Sequence, residues 1–183
     1  MCSITQCTKC PLYKNQKPLI NLQDSCDIMW IGLSAKKIDN VEEGIPLSPL
    51  TKSGQILQLI EESFENLSTY KTNLVKCLPL DLEGKLRYPT KFEMNACVPH
   101  IETEINWLEP KLVILLGEKV SEAVLGYFGI LGQKRLNDYE YSSVIHNGIR
   151  YLSIQHPSYI AVYRRNDIPQ YALGINIIVS EIF

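Results

Sequence analysis

Cys7-Thr8-Lys9-Cys10 is a C-x-x-C pair followed by Pro11, and that spacing lets two thiolates reach one metal centre from a tight turn. Cys77 closes the run TNLVKC and Cys97 lies in NACVPH, so two more thiolates come from separate elements. Four sulfur ligands suffice for an iron–sulfur cluster or for zinc. Zinc ribbons usually draw their second pair from another close C-x-x-C knuckle, and here that pair is widely split. Soft all-thiolate ligation suits either metal. Cys2 and Cys26 join no motif and read as a terminal thiol and a small buried residue beside the first strand.

These thiols need a scaffold to hold them. A chain of 183 residues that is 45% hydrophobic and 21% charged fits one domain, 1–183, with an amino-terminal segment, about 1–26, that carries the first cysteine pair. No apolar run approaches the roughly 20 residues that span a bilayer. The opening MCSITQCTKC lacks the basic start and apolar stretch of a secretory signal, so a cytoplasmic protein with no membrane attachment is expected. In a reducing cytosol six cysteines favour metal ligation over disulfides. The net charge of −2 and pI near 5.9 mean that any affinity for nucleic acid has to come from a local face. No nucleotide cofactor is expected, and with no assembly surface marked the chain should be a monomer.

From Asp27 the run DIMWIGL reads as a buried parallel strand that enters a loop after Gly32, the loop running from Ser34 to about Lys52. Ser53 is placed to cap a helix with Ile56, Leu57, Leu59, Ile60 and Phe64 as its apolar stripe. A second strand covers Thr72 to Lys76. Thr90 and Glu93 have capping-box spacing, so a helix begins near Lys91, and Pro99 is expected to start a second helical segment that Pro110 ends. Lys111 to Leu116 is the clearest buried strand, and Gly117 leads it into an amphipathic helix. Val144-Ile145 and Ile149 to Gln155 form a hairpin across Asn147-Gly148 and lead into His156-Pro157-Ser158. A final helix, about Ile168 to Ile182, turns Tyr171, Ile175, Ile178 and Ile182 inward. Alternating strands and helices predict an α/β three-layer sandwich around a central, mainly parallel four-stranded sheet. Ligands in such folds sit beyond the carboxyl ends of the strands, where Gly32, Gly117 and His156 fall.

Taken in order, CTKCPL, IMWIG, IPLSPLTKSGQIL, TNLVKCLP, KFEMNACVPHIETEI, PKLVILLG and QHPSYI resemble the iron–sulfur family 4 uracil-DNA glycosylases over nearly the whole chain. The resemblance implies that Cys7, Cys10, Cys77 and Cys97 hold a structural 4Fe-4S cluster and that the partner is DNA. It also implies that a nucleotide is extruded from DNA and its base released by hydrolysis. Asn73 stands where the family reads the base edge, a task suited to a side chain with both donor and acceptor. His156 stands where the family polarises the pyrimidine O2. Ser53 and Gly54 match a phosphate-binding helix start, although an ordinary N-cap explains Ser53 equally. Tyr159 and Ile160 match the segment that enters the duplex, with Arg164 and Arg165 near the backbone.

Two positions depart from the family pattern. The first motif there reads approximately Gly-Glu-Ala-Pro-Gly, whereas this chain has Gly32-Leu33-Ser34-Ala35. Leu33 therefore replaces the acid that helps position the water and crowds the pyrimidine 5-position, and Asp39, with Glu42 or Glu43 behind it, is the nearest substitute acid. Leu47 replaces a base-stacking phenylalanine and gives up about 1–3 kcal/mol of stacking. With Asn73 and His156 kept, the changes suggest a bulkier modified pyrimidine, such as hydroxymethylated or glucosylated cytosine of phage DNA, and hence an antiviral glycosylase. Uracil repair stays open, as does an inactive DNA-binding relative.

Overall fold

The computed structural model describes residues 2–38, 44–131 and 139–183. Among these, five strands form one sheet: β1 (Ile28–Ser34), β2 (Thr69–Val75), β3 (Leu112–Leu116), β4 (Ser143–His146) and β5 (Ile149–Ile154), in the order β2-β1-β3-β5-β4. The first four in that order are parallel. The expected four-stranded sheet is thus corrected to five, because the first arm of the hairpin pairs antiparallel with β5 and extends the sheet at its edge. Asn147 and Gly148 both have positive φ, 50° and 80°, the backbone that a two-residue hairpin turn requires.

Side chains on β1 and β3 alternate between two apolar layers, as the period of two dictates. Met29, Ile31, Val113 and Leu115 face one cluster; Ile28, Trp30, Leu112, Ile114 and Leu116 face the other. The first layer is covered by α3 (Lys91–Leu108) and α4 (Glu118–Tyr127). The second is covered by α2 (Lys52–Glu61), α5 (Pro157–Tyr163) and α6 (Ile168–Ser180). A short α1 (Cys2–Thr5) precedes them. Both faces of the sheet are therefore dry, which explains the near-continuous apolar strands. Among the described residues no helix is long and apolar enough to cross a membrane.

Three local expectations are corrected. Thr51, not Ser53, caps α2: its side chain accepts from the Gly54 N–H, because the extended residue before the first turn is the one that can reach back to it. Pro99 does not start a new helix but lies inside one continuous α3 of 18 residues. An interior proline costs about 3 kcal/mol, and here the complete Thr90–Glu93 capping box and the burial of Ile101, Ile105 and Leu108 offset it. The chain leaves α3 at Glu109, whose φ is 48°. The third correction is at the end of the chain: α6 stops at Ser180, so Ile182 packs only partly buried beyond it.

Candidate base-recognition site and thiol site

Gly32 pairs with Asn73 across β1 and β2, and this register creates the first constellation. A Cβ built at Gly32 would lie 2.6 Å from Asn73 Oδ1 and 3.0 Å from Leu47 Cδ2, so only glycine leaves room for the carboxamide to cross above the strand. Asn73 is 3% exposed, yet among the described residues no hydrogen bond engages its carboxamide, only its backbone carbonyl. Leu47 holds a φ of 54° and packs against the same patch. The importance of Gly32 as the floor beneath an amide was invisible without the register.

His156 lies two residues beyond β5 and is the N-cap of α5, a helix that the sequence reading did not foresee. Its Nδ1 accepts from the Ser158 N–H at 3.2 Å and lies 2.8 Å from the Ser158 hydroxyl. With Nδ1 acting as acceptor, the ring proton is assigned to Nε2. Burial, with Lys36 nearby, lowers the imidazole to about 4, which keeps the ring neutral near pH 7. Gly117, at φ 93°, lies against it: a Cβ there would approach the histidine Cβ to 3.4 Å.

A cleft of about 820 Å³ opens beside these strand ends, lined by Leu33, Gly117, His156, Ser158, Tyr159 and Arg164 among others. Leu33, His156, Tyr159 and Arg164 therefore share one opening, while Asn73 and Leu47 meet at Gly32, the residue preceding Leu33. Tyr159 is 49% exposed, whereas Ile160 is fully buried in the core. The expected insertion of Ile160 into DNA is thereby corrected: on α5 it faces inward while its neighbour faces out. Arg164 Nε is paired with Asp167 Oδ2 at 2.8 Å. Gly54 receives the chain's own loop, since a Cβ there would lie 2.0 Å from the Ser48 carbonyl. Ser53 beside it is buried, and its hydroxyl has no hydrogen-bond partner among the described residues. Asp39, Glu42 and Glu43 lie outside the described residues.

Cys7, Cys10, Cys77 and Cys97 border one small void, together with Lys76 and His100. The strand end supplies Cys77, α3 supplies Cys97, and the turn after α1 supplies the C-x-x-C pair. Burial raises the Cys77 thiol to about 12 and pushes those of Cys10 and Cys97 upward, with mutual repulsion adding to the effect. Thiolates here would need a cation to neutralise them. Among the described residues no three His, Cys, Asp or Glu side chains close on a point as a single metal ion demands. The four cysteines border one void, and all-thiolate ligation there suits either an iron–sulfur cluster or zinc. His100, 3.1 Å from the Cys7 sulfur, escaped the sequence reading; its three-residue spacing from Cys97 on one helix face was the available signal.

A family model described as the Uracil DNA glycosylase superfamily matches residues 20–177. A Type-4 uracil-DNA glycosylase of Pyrobaculum aerophilum is 29% identical over 138 residues, 72% of this chain and 65% of that protein. One from Sulfurisphaera tokodaii is 26% identical over 131 residues, 69% of this chain and 56% of its own length. The chain thus spans less than two-thirds of the length of these archaeal relatives. A Type-4 uracil-DNA glycosylase of Thermotoga maritima is 26% identical over 175 residues, covering 93% of this chain and 85% of the relative. The crystal structure of wild-type SMUG2 from Pedobacter heparinus superposes with a TM-score of 0.57 at 11% identity, covering 85% of this chain and 77% of that one, a likeness of fold.

Proposed function

The chain belongs to the uracil DNA glycosylase superfamily, and from that premise we propose that it is a monofunctional DNA glycosylase working as a single domain and a monomer. The observation that carries the reading is Asn73, a nearly buried residue whose carboxamide makes no hydrogen bond among the described residues and lies above Gly32, at the sheet end where His156 presents a neutral Nε2–H. An extruded base would be read by Asn73 while His156 donates to the pyrimidine O2. As the C1′–N bond breaks, its electron pair moves onto the base and the donor stabilises the charge at O2. A water oxygen then bonds to C1′, and the proton it loses neutralises the departing base anion, leaving an abasic site and a neutral free base.

The base in this reading is uracil or a larger pyrimidine. Since no hydrogen bond among the described residues orients the Asn73 amide, its oxygen and nitrogen can exchange places to match either a uracil or a cytosine edge. Leu33 borders an open cleft instead of closing the pocket with an acid, and that favours a 5-substituted cytosine, hydroxymethylated or glucosylated as in phage DNA, with an antiviral role. Water activation falls to Asp39 in this account. Tyr159 and Arg164 would meet the DNA backbone and the vacated stack. Cys7, Cys10, Cys77 and Cys97 would hold a 4Fe-4S cluster, which supplies a cross-link between the amino-terminal segment and the sheet and takes no part in redox chemistry.

The test is base release from oligonucleotides containing uracil, thymine, hypoxanthine, hydroxymethylcytosine and glucosylated hydroxymethylcytosine. Release of a cytosine derivative is expected; release of uracil alone would make this a repair enzyme. Binding without any release would identify an inactive DNA-binding relative.

A further inference from the structure

Between Asn73 and Cys77 the strand carries a charge into the core. Lys76 is 1% exposed and its partner Glu104, on α3, is 0% exposed. The ammonium lies 2.7 Å from Glu104 Oε2 and 2.8 Å from the Thr72 hydroxyl, and it donates to the Asn73 backbone carbonyl at 3.1 Å. The Thr72 hydroxyl donates a hydrogen bond to Glu104 at 3.1 Å, and the Tyr70 hydroxyl donates to the same carboxylate at 3.0 Å. The main chain of Lys76 is engaged too: its carbonyl accepts from the Leu19 N–H at 2.8 Å and its N–H donates to the Cys97 sulfur. Lys76 also borders the void among the four cysteines.

Taking two charges out of water largely offsets their mutual attraction, so such a pair is poorly explained as a source of stability. What distinguishes this one is what it touches: the strand that presents Asn73, the amino-terminal segment at Leu19, and the thiol site. We infer that Lys76 is a positioning residue, which fixes the Asn73 carbonyl, sets the height of the carboxamide over Gly32, and links that height to the thiol site. Lys76 has no contact with the base in this account and acts only through Asn73. The inference rests on the base-reading role proposed for Asn73.

A charge-neutral replacement, Lys76→Met with Glu104→Gln, removes the ammonium without stranding a buried carboxylate and keeps an oxygen for Tyr70. Single-turnover release of whichever base in the panel the wild type frees fastest is compared for this double variant, for Asn73→Ala, and for the triple combination, with bound metal and melting temperature recorded for each. The double variant should keep its metal and its melting temperature within a few degrees yet slow release by roughly 100-fold, the scale of a small misplacement at a reacting centre. In the triple variant no further slowing beyond Asn73→Ala is expected, since residues that act through one another are not additive. Additive losses, or a double variant at the wild-type rate, overturn the inference alone. An Asn73→Ala protein at the wild-type rate overturns the reading of Asn73 and this inference with it. Should the double variant fail to fold, Thr72→Val removes only the hydroxyl beside the ammonium. A slowing of about 10-fold that vanishes in the Asn73→Ala background supports the same conclusion, and its persistence there contradicts it.

Discussion

Two polar regions meet at Asn73 and Lys76, three residues apart in the chain, and they are built in opposite ways. Around Lys76 and Glu104 the charges are buried and close on one another and on main-chain atoms. Around Asn73 and His156 the carboxamide engages nothing among the described residues, and the imidazole uses one nitrogen for Ser158. Polar groups satisfied internally hold a structure in place; buried groups left unsatisfied are waiting for a ligand or are an unexplained cost. The contrast assigns architecture to the thiol side and recognition to the strand ends.

The largest break in this comparison comes from the thiol side. Cys97→Ala should remove bound metal and lower the melting temperature by about 10 °C or more, as expected when a metal contributes folding free energy; absorption at visible wavelengths and a thermal melt report both. Retention of full metal and stability would transfer that side's structural role elsewhere. Gly54→Ala should follow, at a cost of about 1–3 kcal/mol, because its Cβ would meet the Ser48 carbonyl at 2.0 Å and the Leu47 carbonyl at 2.4 Å; chemical denaturation measures it.

Gly32→Ala sharpens the contrast. Its added methyl would meet a side-chain oxygen at 2.6 Å, an atom that can shift, so stability should change little while base release slows by roughly 10-fold, equivalent to about 1.4 kcal/mol. A large fall in stability with normal release would reverse the assignment. The smallest effect concerns protons. Because burial lowers His156 to about 4, its ring resonances should stay neutral at pH 5.5, where a free histidine is mostly protonated. The linked stability is present above the unfolded value near 6.5 and declines as pH falls from there toward 4, since only the unfolded ring binds a proton in that window. A midpoint near 6.5 in nuclear magnetic resonance would contradict a buried donor.

Much of this could be read from residues close in sequence. The apolar runs at DIMWIGL and KLVILL, the Thr90–Glu93 box and the Asn147-Gly148 turn are local signals, and each formed the element expected of it. The four cysteines could be gathered by type alone. What stayed hidden depends on pairing at a distance: the Gly32–Asn73 register, the 28-residue span from Lys76 to Glu104, and the inward face of Ile160 on a helix too short to show periodicity. Pro99 misled because local rules end helices at proline, and burial along α3 overrode them.

The central claim is that the strand ends carry out the chemistry, and His156→Ala tests it most directly. Single-turnover base release by this variant, on the base the wild type releases fastest, should fall by roughly 100-fold or more while metal content and melting temperature stay near those of the wild type. Release at the wild-type rate would contradict the account.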